Sequence, residues 1–145
     1  MALSGCTHWS AAFNAPWIDS KQEVAAVTEQ WATAFSKGDL DALTSMYSQD
    51  AVIWGIASSR MRKDPSAIRG YYARLLKTFP GTRVTVREMN IRVYGDSAVN
   101  SGLLTIHRVS HDAGSNATPT RFSMVYVRRT GKWLIVDHHS SVVAF

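Results

Sequence analysis

Two adjacent histidines, His138 and His139, are the side chains here best suited to move a proton near neutral pH. They lie in 132–141, a run rich in Val, Ile and aromatics that reads as a strand. Alternation then groups His138 with Val136 and Ser140 on one face, and His139 with Asp137 and Ser141 on the other. Neighbours on opposite faces do not readily share one ion, and no third ligand stands at a metal-site spacing, so no metal is expected. In a pocket, His138 would act as a general acid or base, while Tyr47 or Tyr126 hydrogen-bonds a developing enolate. The blander reading makes one histidine a pocket lining and the other a group at a subunit interface. No G-x-S-x-G elbow, P-loop or dinucleotide fingerprint is present, so no cofactor is expected.

Aromatic residues are the second informative class. Trp31, Phe35, Tyr47, Trp54, Tyr71, Tyr72, Phe122 and Tyr126 come from segments expected to converge on one side of a sheet. Most belong to a core. A conical cavity among them would be lined by Trp31, Trp54, Phe122 and Met124, with His138 and Ser140 as polar contacts. His138→Ala is then expected to weaken ligand binding while leaving the fold intact.

The elements that must position these residues follow from periodicity. Ser20-Lys21-Gln22-Glu23 has the form of a capping box. It precedes an apolar stripe of Val24, Val27, Trp31 and Phe35 at helical steps, which Gly38 ends. Asp39 caps a short second helix carrying Leu40, Leu43 and Met46. Ala51 to Trp54 reads as a strand, and Asp64-Pro65 opens a third helix that stops at Phe79-Pro80-Gly81. Strands follow near 82–94, 97–109, 121–129 and 132–141, with turns at Gly95-Asp96 and Thr130-Gly131 and a longer connection from Asp112 to Thr120. Within 82–94 the apolar parity shifts from Val84 and Val86 to Met89, Ile91 and Val93, which predicts a β-bulge near Arg87-Glu88. The sum is an α+β domain, a strongly bent antiparallel sheet with three N-terminal helices on its concave face. Strands 121–129 and 132–141 carry apolar residues on both faces, so a second copy of the chain is expected to cover the outer one.

Composition bounds the alternatives. With 145 residues, 46% of them hydrophobic and 19% charged, the chain fits one globular domain. A lone cysteine, Cys6, excludes an internal disulfide. The net charge of +5 comes from basic residues scattered over loops and strands rather than a stripe, so nucleic acid is not an expected partner. Residues 1–19 show no periodicity and read as a flexible tail before a domain at 20–145. Leu3-Ser4-Gly5-Cys6 in that tail resembles the lipobox of bacterial lipoproteins, which would anchor the protein to the cell envelope through a lipid on Cys6. A signal also needs a charged segment and an apolar segment ahead of the lipobox, and only Met1 and Ala2 stand there. Without a lipid, the expected location is the cytoplasm.

From about Ser20 to Phe145 the chain resembles the nuclear transport factor 2-like superfamily. The resemblance is carried by Val27-Thr28-Glu29-Gln30 with Gly38-Asp39, by Tyr47-Ser48-Gln49-Asp50-Ala51-Val52, and above all by the run from Arg128 to Ser141. Within the superfamily it looks nearest the SgcJ/EcaC and SnoaL-like branch, related to the association domain of calcium/calmodulin-dependent kinase II. The resemblance implies a cone-shaped α+β barrel and a homodimer or higher oligomer built through the sheet. Met124 and Ser140 stand where two carboxylate-gripping arginines of the kinase hub lie, so the same anion site is not implied. Fold does not settle function. The first expectation is a homo-oligomeric module binding a small apolar or mixed-polarity molecule in the cone. The alternatives are a cyclase, isomerase or dehydratase using His138, and a hub whose sole role is association.

Overall fold

The computed structural model describes residues 16–56, 58–110 and 114–143. Cys6 and the lipobox lie outside these residues. The element order is α1 (Pro16–Lys37), α2 (Leu40–Ser45), β1 (Tyr47–Trp54), α3 (Pro65–Thr78), β2 (Arg83–Tyr94), β3 (Ser97–Ser110), β4 (Gly114–Arg129) and β5 (Lys132–Val142). No described helix is long and apolar enough to cross a membrane.

Local chemistry accounts for most boundaries. Asp39 accepts from the Ala42 N–H and Asp64 from the Ala67 N–H, each satisfying a donor that helix geometry leaves open, and Pro65 occupies the first turn of α3. Both two-residue turns form as expected; Thr130 and Gly131 have φ of 48° and 77°, the pair of positive values a tight β4–β5 hairpin needs. Two boundaries differ from the sequence expectation. Helix α1 begins at Pro16, so Ser20 and Glu23 lie inside it and do not form its cap. They turn instead toward β4 and β5: Arg128 donates to Ser20 and pairs with Glu23, which also accepts from Trp133 Nε1 at 2.8 Å. Strand β4 begins at Gly114, so most of the expected connection from Asp112 to Thr120 is strand. Pro119 is tolerated there because β5 ends opposite Thr120.

The sheet is mixed and open, with order β1-β5-β4-β3-β2. Strand β1 runs parallel to β5 while every other pair is antiparallel, which corrects the all-antiparallel barrel expected from sequence. The two edges are occupied before they can meet. At the β1 edge, Ile53 and Arg62 exchange backbone hydrogen bonds of 2.9 and 3.0 Å. At the β2 edge, Ser36 Oγ of α1 accepts the Val84 N–H at 2.9 Å. Edge groups satisfied in this way offer no template for closure. Arg129 reaches from β4 to β1, donating to Ser48 at 2.9 Å and Asp50 at 2.8 Å. The hydrogen bonds that Asp50 accepts from Arg129 and from Ser48 Oγ hold its exposed carboxyl at about 2.

One core forms between the helices and one sheet face. Val24, Trp31 and Phe35 of α1, Leu43 of α2, and Ile68, Tyr71 and Tyr72 of α3 pack with Leu104, Ile106, Phe122, Met124, Tyr126, Trp133 and Ile135 of the sheet. The predicted bulge is present: Val86 opposes Leu104 and Glu88 opposes Leu103, leaving Arg87 as the extra residue. A second bulge lies in β5. Val125 opposes Asp137 and Tyr126 opposes Ile135, so Val136 is the inserted residue. It changes which parity faces inward, from Trp133 and Ile135 before it to His138 after it.

Candidate functional site

The β5 bulge is what carries His138 into the interior, where it is 2% exposed. The residues around it come from three other elements and share one hydroxyl. Trp31 Nε1 of α1 donates to Tyr47 Oη of β1 at 3.0 Å. Tyr72 Oη of α3 lies 2.5 Å from the same oxygen, and His138 Nδ1 lies 2.7 Å from it. On the far side of the ring, His138 Nε2 meets Ser140 Oγ at 2.8 Å. Trp31 also packs edge-on against the imidazole, with ring centroids 5.2 Å apart.

Burial sets the charge state of this cluster. Desolvation, with a smaller repulsion from His139, pulls His138 down to about 3, so the ring is neutral at physiological pH. Burial also pushes Tyr47 and Tyr72 above the usual phenol range, so both remain protonated. This corrects the expectation of a histidine titrating near neutrality. Both ring nitrogens are already engaged by protein groups, so neither is free for a substrate proton. His138→Ala would therefore remove core packing and take from Tyr47 one of its three hydrogen-bond partners, contrary to the expectation of an intact fold.

The low value has a measurable consequence. The folded state favours neutral His138, so its contribution is complete above the ordinary value of 6.5 and is lost as pH falls toward 3. Urea unfolding free energy is expected to fall by about 1 kcal/mol between pH 6 and 5. The slope should flatten in His138→Gln. A wild-type stability that is level across this window would overturn the assignment.

Next to the cluster is an apolar chamber walled by Trp31, Phe35, Ile53, Tyr71, Tyr72, Leu75, Leu104 and Ile106, with His138 and Ser140 among the polar lining groups. Gly55, Ile56, Phe79 and Arg108 also border it, and the Arg108 guanidinium lies 4.3 Å from the Phe79 ring centroid. The space a water-sized body can reach is about 30 Å³, within a recess of about 500 Å³ once interatomic gaps and open solvent are counted. The smaller figure is the usable one, room for one or two waters. Gly55 keeps this wall closed, since a Cβ there would overlap the Tyr71 ring.

The expected site residues are divided by the structure. Trp31, Tyr47, His138 and Ser140 come together. Trp54 does not: it is 43% exposed on the opposite sheet face beside His139, because Ala51 and Ile53 take the inward parity of β1. Phe122 and Met124 are buried in the core and do not border the chamber. Tyr126 belongs to a second polar cluster, 2.8 Å from Thr28 Oγ1 and 3.0 Å from Met124 Sδ, with Asn100 Nδ2 donating to Thr28 at 2.9 Å. Tyr72 was counted in sequence only among the aromatics, yet it is central to the His138 network. No group of three or more His, Cys, Asp or Glu able to hold a metal ion occurs among the described residues.

Residues 24–145 match the model of the SnoaL-like domain. The chain belongs to the SnoaL-like domain family. Its likeness to solved structures agrees. A Xanthomonas campestris protein described as a calcium/calmodulin-dependent protein kinase II association domain is 29% identical, with a TM-score of 0.77 over 84% of this chain and 86% of that one. A Streptomyces avermitilis protein of the nuclear transport factor 2-like family, described as a dehydratase, superposes with a TM-score of 0.82 at 14% identity over 88% of this chain and 99% of its own. The association domain of the Caenorhabditis elegans kinase gives 0.73 at 18% identity over 88% of this chain and 99% of that one. The last two share the fold alone. This SnoaL-like domain therefore has the nuclear transport factor 2-like, cystatin-like architecture, with the His138 cluster on its helix-covered face.

Proposed function

We propose that this SnoaL-like domain is a self-associating module, paired with a second copy through the outer face of its sheet. The observation that carries this reading is the apolar strip on that face. Val99 of β3 lies opposite Val125 of β4, and Val127 lies opposite Leu134 of β5. Leu103 and Trp54, 40% and 43% exposed, stand on the same face. Apolar surface gathered in this way on a domain with a complete core marks an interaction site. The likeness to proteins described as association domains supports a copy of the same chain as the occupant. Wild-type protein at micromolar concentration is expected to sediment as a dimer or larger ring. Val125→Arg, which points away from the core, should weaken association at least about 100-fold, or about 2.7 kcal/mol. A monomeric wild type would sink the proposal.

A second reading, in which the chamber binds a small molecule, is favoured by its apolar walls and its neutral polar pair, His138 and Ser140. Its free volume limits an unmoved chamber to the tip of a ligand. The enzymatic reading ranks below both, because each His138 ring nitrogen is already engaged. Assignment to the SgcJ/EcaC branch rests on the run from Arg128 to Ser141.

A further inference from the structure

The hydrogen bonds around His138 have a direction, and it determines what the chamber offers a ligand. Tyr47 Oη has one proton and two lone pairs for three partners. Trp31 Nε1 can only donate, so it takes one lone pair. Tyr72 Oη is buried, and its other neighbour, Trp31, can only donate, so the Tyr72 proton goes to the other lone pair of Tyr47. The Tyr47 proton is left for His138 Nδ1. A neutral imidazole accepting at Nδ1 carries its proton on Nε2, which donates to Ser140 Oγ. Donation therefore runs one way, from Tyr72 to Tyr47 to His138 to Ser140. Among the described residues no group accepts the Ser140 proton.

We infer that Ser140 presents this proton to the chamber and makes it selective for a small, neutral, largely apolar carbonyl compound bound through its oxygen. An alcohol of the same shape brings a proton of its own, and a single contact with Ser140 Oγ uses only one of the two protons. The other must reach the Tyr71 or Thr82 hydroxyl of the lining or be buried unpaired, which is costly. The carbonyl oxygen meets Ser140 Oγ and the body packs against the apolar lining of the chamber. This inference rests on the ligand-binding reading of the chamber.

Two measurements on the full chain test it. Long-range proton–nitrogen correlation of the His138 ring at pH 7 is expected to show the Nε2–H tautomer. The Nδ1–H tautomer would reverse the chain, spend the Ser140 proton on His138 and overturn the inference without any ligand present. Cyclopentanone, cyclopentanol and cyclopentane are then titrated while the Trp31 indole signal is followed. Cyclopentanone should bind about tenfold tighter than cyclopentanol. Ser140→Ala should bring the two within about twofold. Equal affinity of ketone and alcohol for the wild type would overturn the selectivity and leave the chamber reading standing. Failure of all three probes to shift the indole signal would overturn the chamber reading, and the inference with it.

Discussion

Tyr47→Phe is expected to lower the unfolding free energy by about 3–5 kcal/mol, whereas Tyr72→Phe costs only about 1 kcal/mol. The two substitutions each remove one phenolic oxygen from the same buried cluster, so the difference lies in what is left unpaired. Without the Tyr47 hydroxyl, Trp31 Nε1, Tyr72 Oη and His138 Nδ1 lose a shared partner together. Each orphaned group costs on the order of 1–3 kcal/mol when buried, and partial relaxation keeps the total below their full sum. Without the Tyr72 hydroxyl, Tyr47 still accepts from Trp31 and still donates to His138. Only one lone pair goes unused. Urea unfolding of both variants at pH 7.5 checks this. Equal losses would mean that the hydroxyl of Tyr47 is not the hub of the network.

Gly102→Ala is expected to cost about 3 kcal/mol or more, although it adds one methyl group. Gly102 lies on β3 across from the β2 bulge, and a Cβ there would overlap the carbonyl oxygen of Glu88 and crowd the Phe122 ring. The Glu88 oxygen is backbone, held in place by the register around Arg87, so it cannot swing aside as a side chain would. The substitution would have to undo the bulge or part β2 from β3. Gly70→Ala in α3 provides the contrast. Nothing lies within 4 Å of a Cβ at Gly70, and its φ is not positive, so alanine should raise stability by about 0.5–1 kcal/mol. Thermal unfolding of the two variants side by side separates these effects. A neutral Gly102→Ala would show that the bulge is soft.

The β2 bulge was legible in the sequence because Val84, Val86, Met89, Ile91 and Val93 are apolar residues separated by polar ones, so a slip of one position changes the parity visibly. The β5 bulge was not, for the opposite reason. Trp133, Leu134, Ile135 and Val136 are all apolar, and an extra residue within such a run leaves no mark. The same blindness produced the apparent two-sided strand that suggested a partner; Val125, Val127 and Leu134 on the outer face keep that suggestion alive. Trp54 was grouped inward with the other aromatics, when the alternation of Ala51 and Ile53 already assigned its position outward. Asp39, Asp64-Pro65 and Thr130-Gly131 depend on contacts a few residues away, and such signals survive in a single sequence. The β1–β5 pairing and the meeting of Trp31, Tyr47 and Tyr72 with His138 join residues far apart in the chain. Side-chain type marked these as aromatic and polar-tipped, but nothing local says which hydroxyl finds which ring.

Strand β5 lies between β1 and β4, although every other element precedes it in the chain. On the ribosome the three helices, β1 and the β2–β4 meander emerge before the strand that joins them. Until it arrives, β1 has no neighbour in the sheet, and Trp31, Tyr47 and Tyr72 have neither Ile135 to pack against nor His138 to bind. The nascent domain therefore waits with β1 detached from the meander and an aromatic surface open to other chains, the state in which aggregation competes with folding. Insertion of one late strand both completes the sheet and closes the interior, which makes this step the natural point for a chaperone to protect.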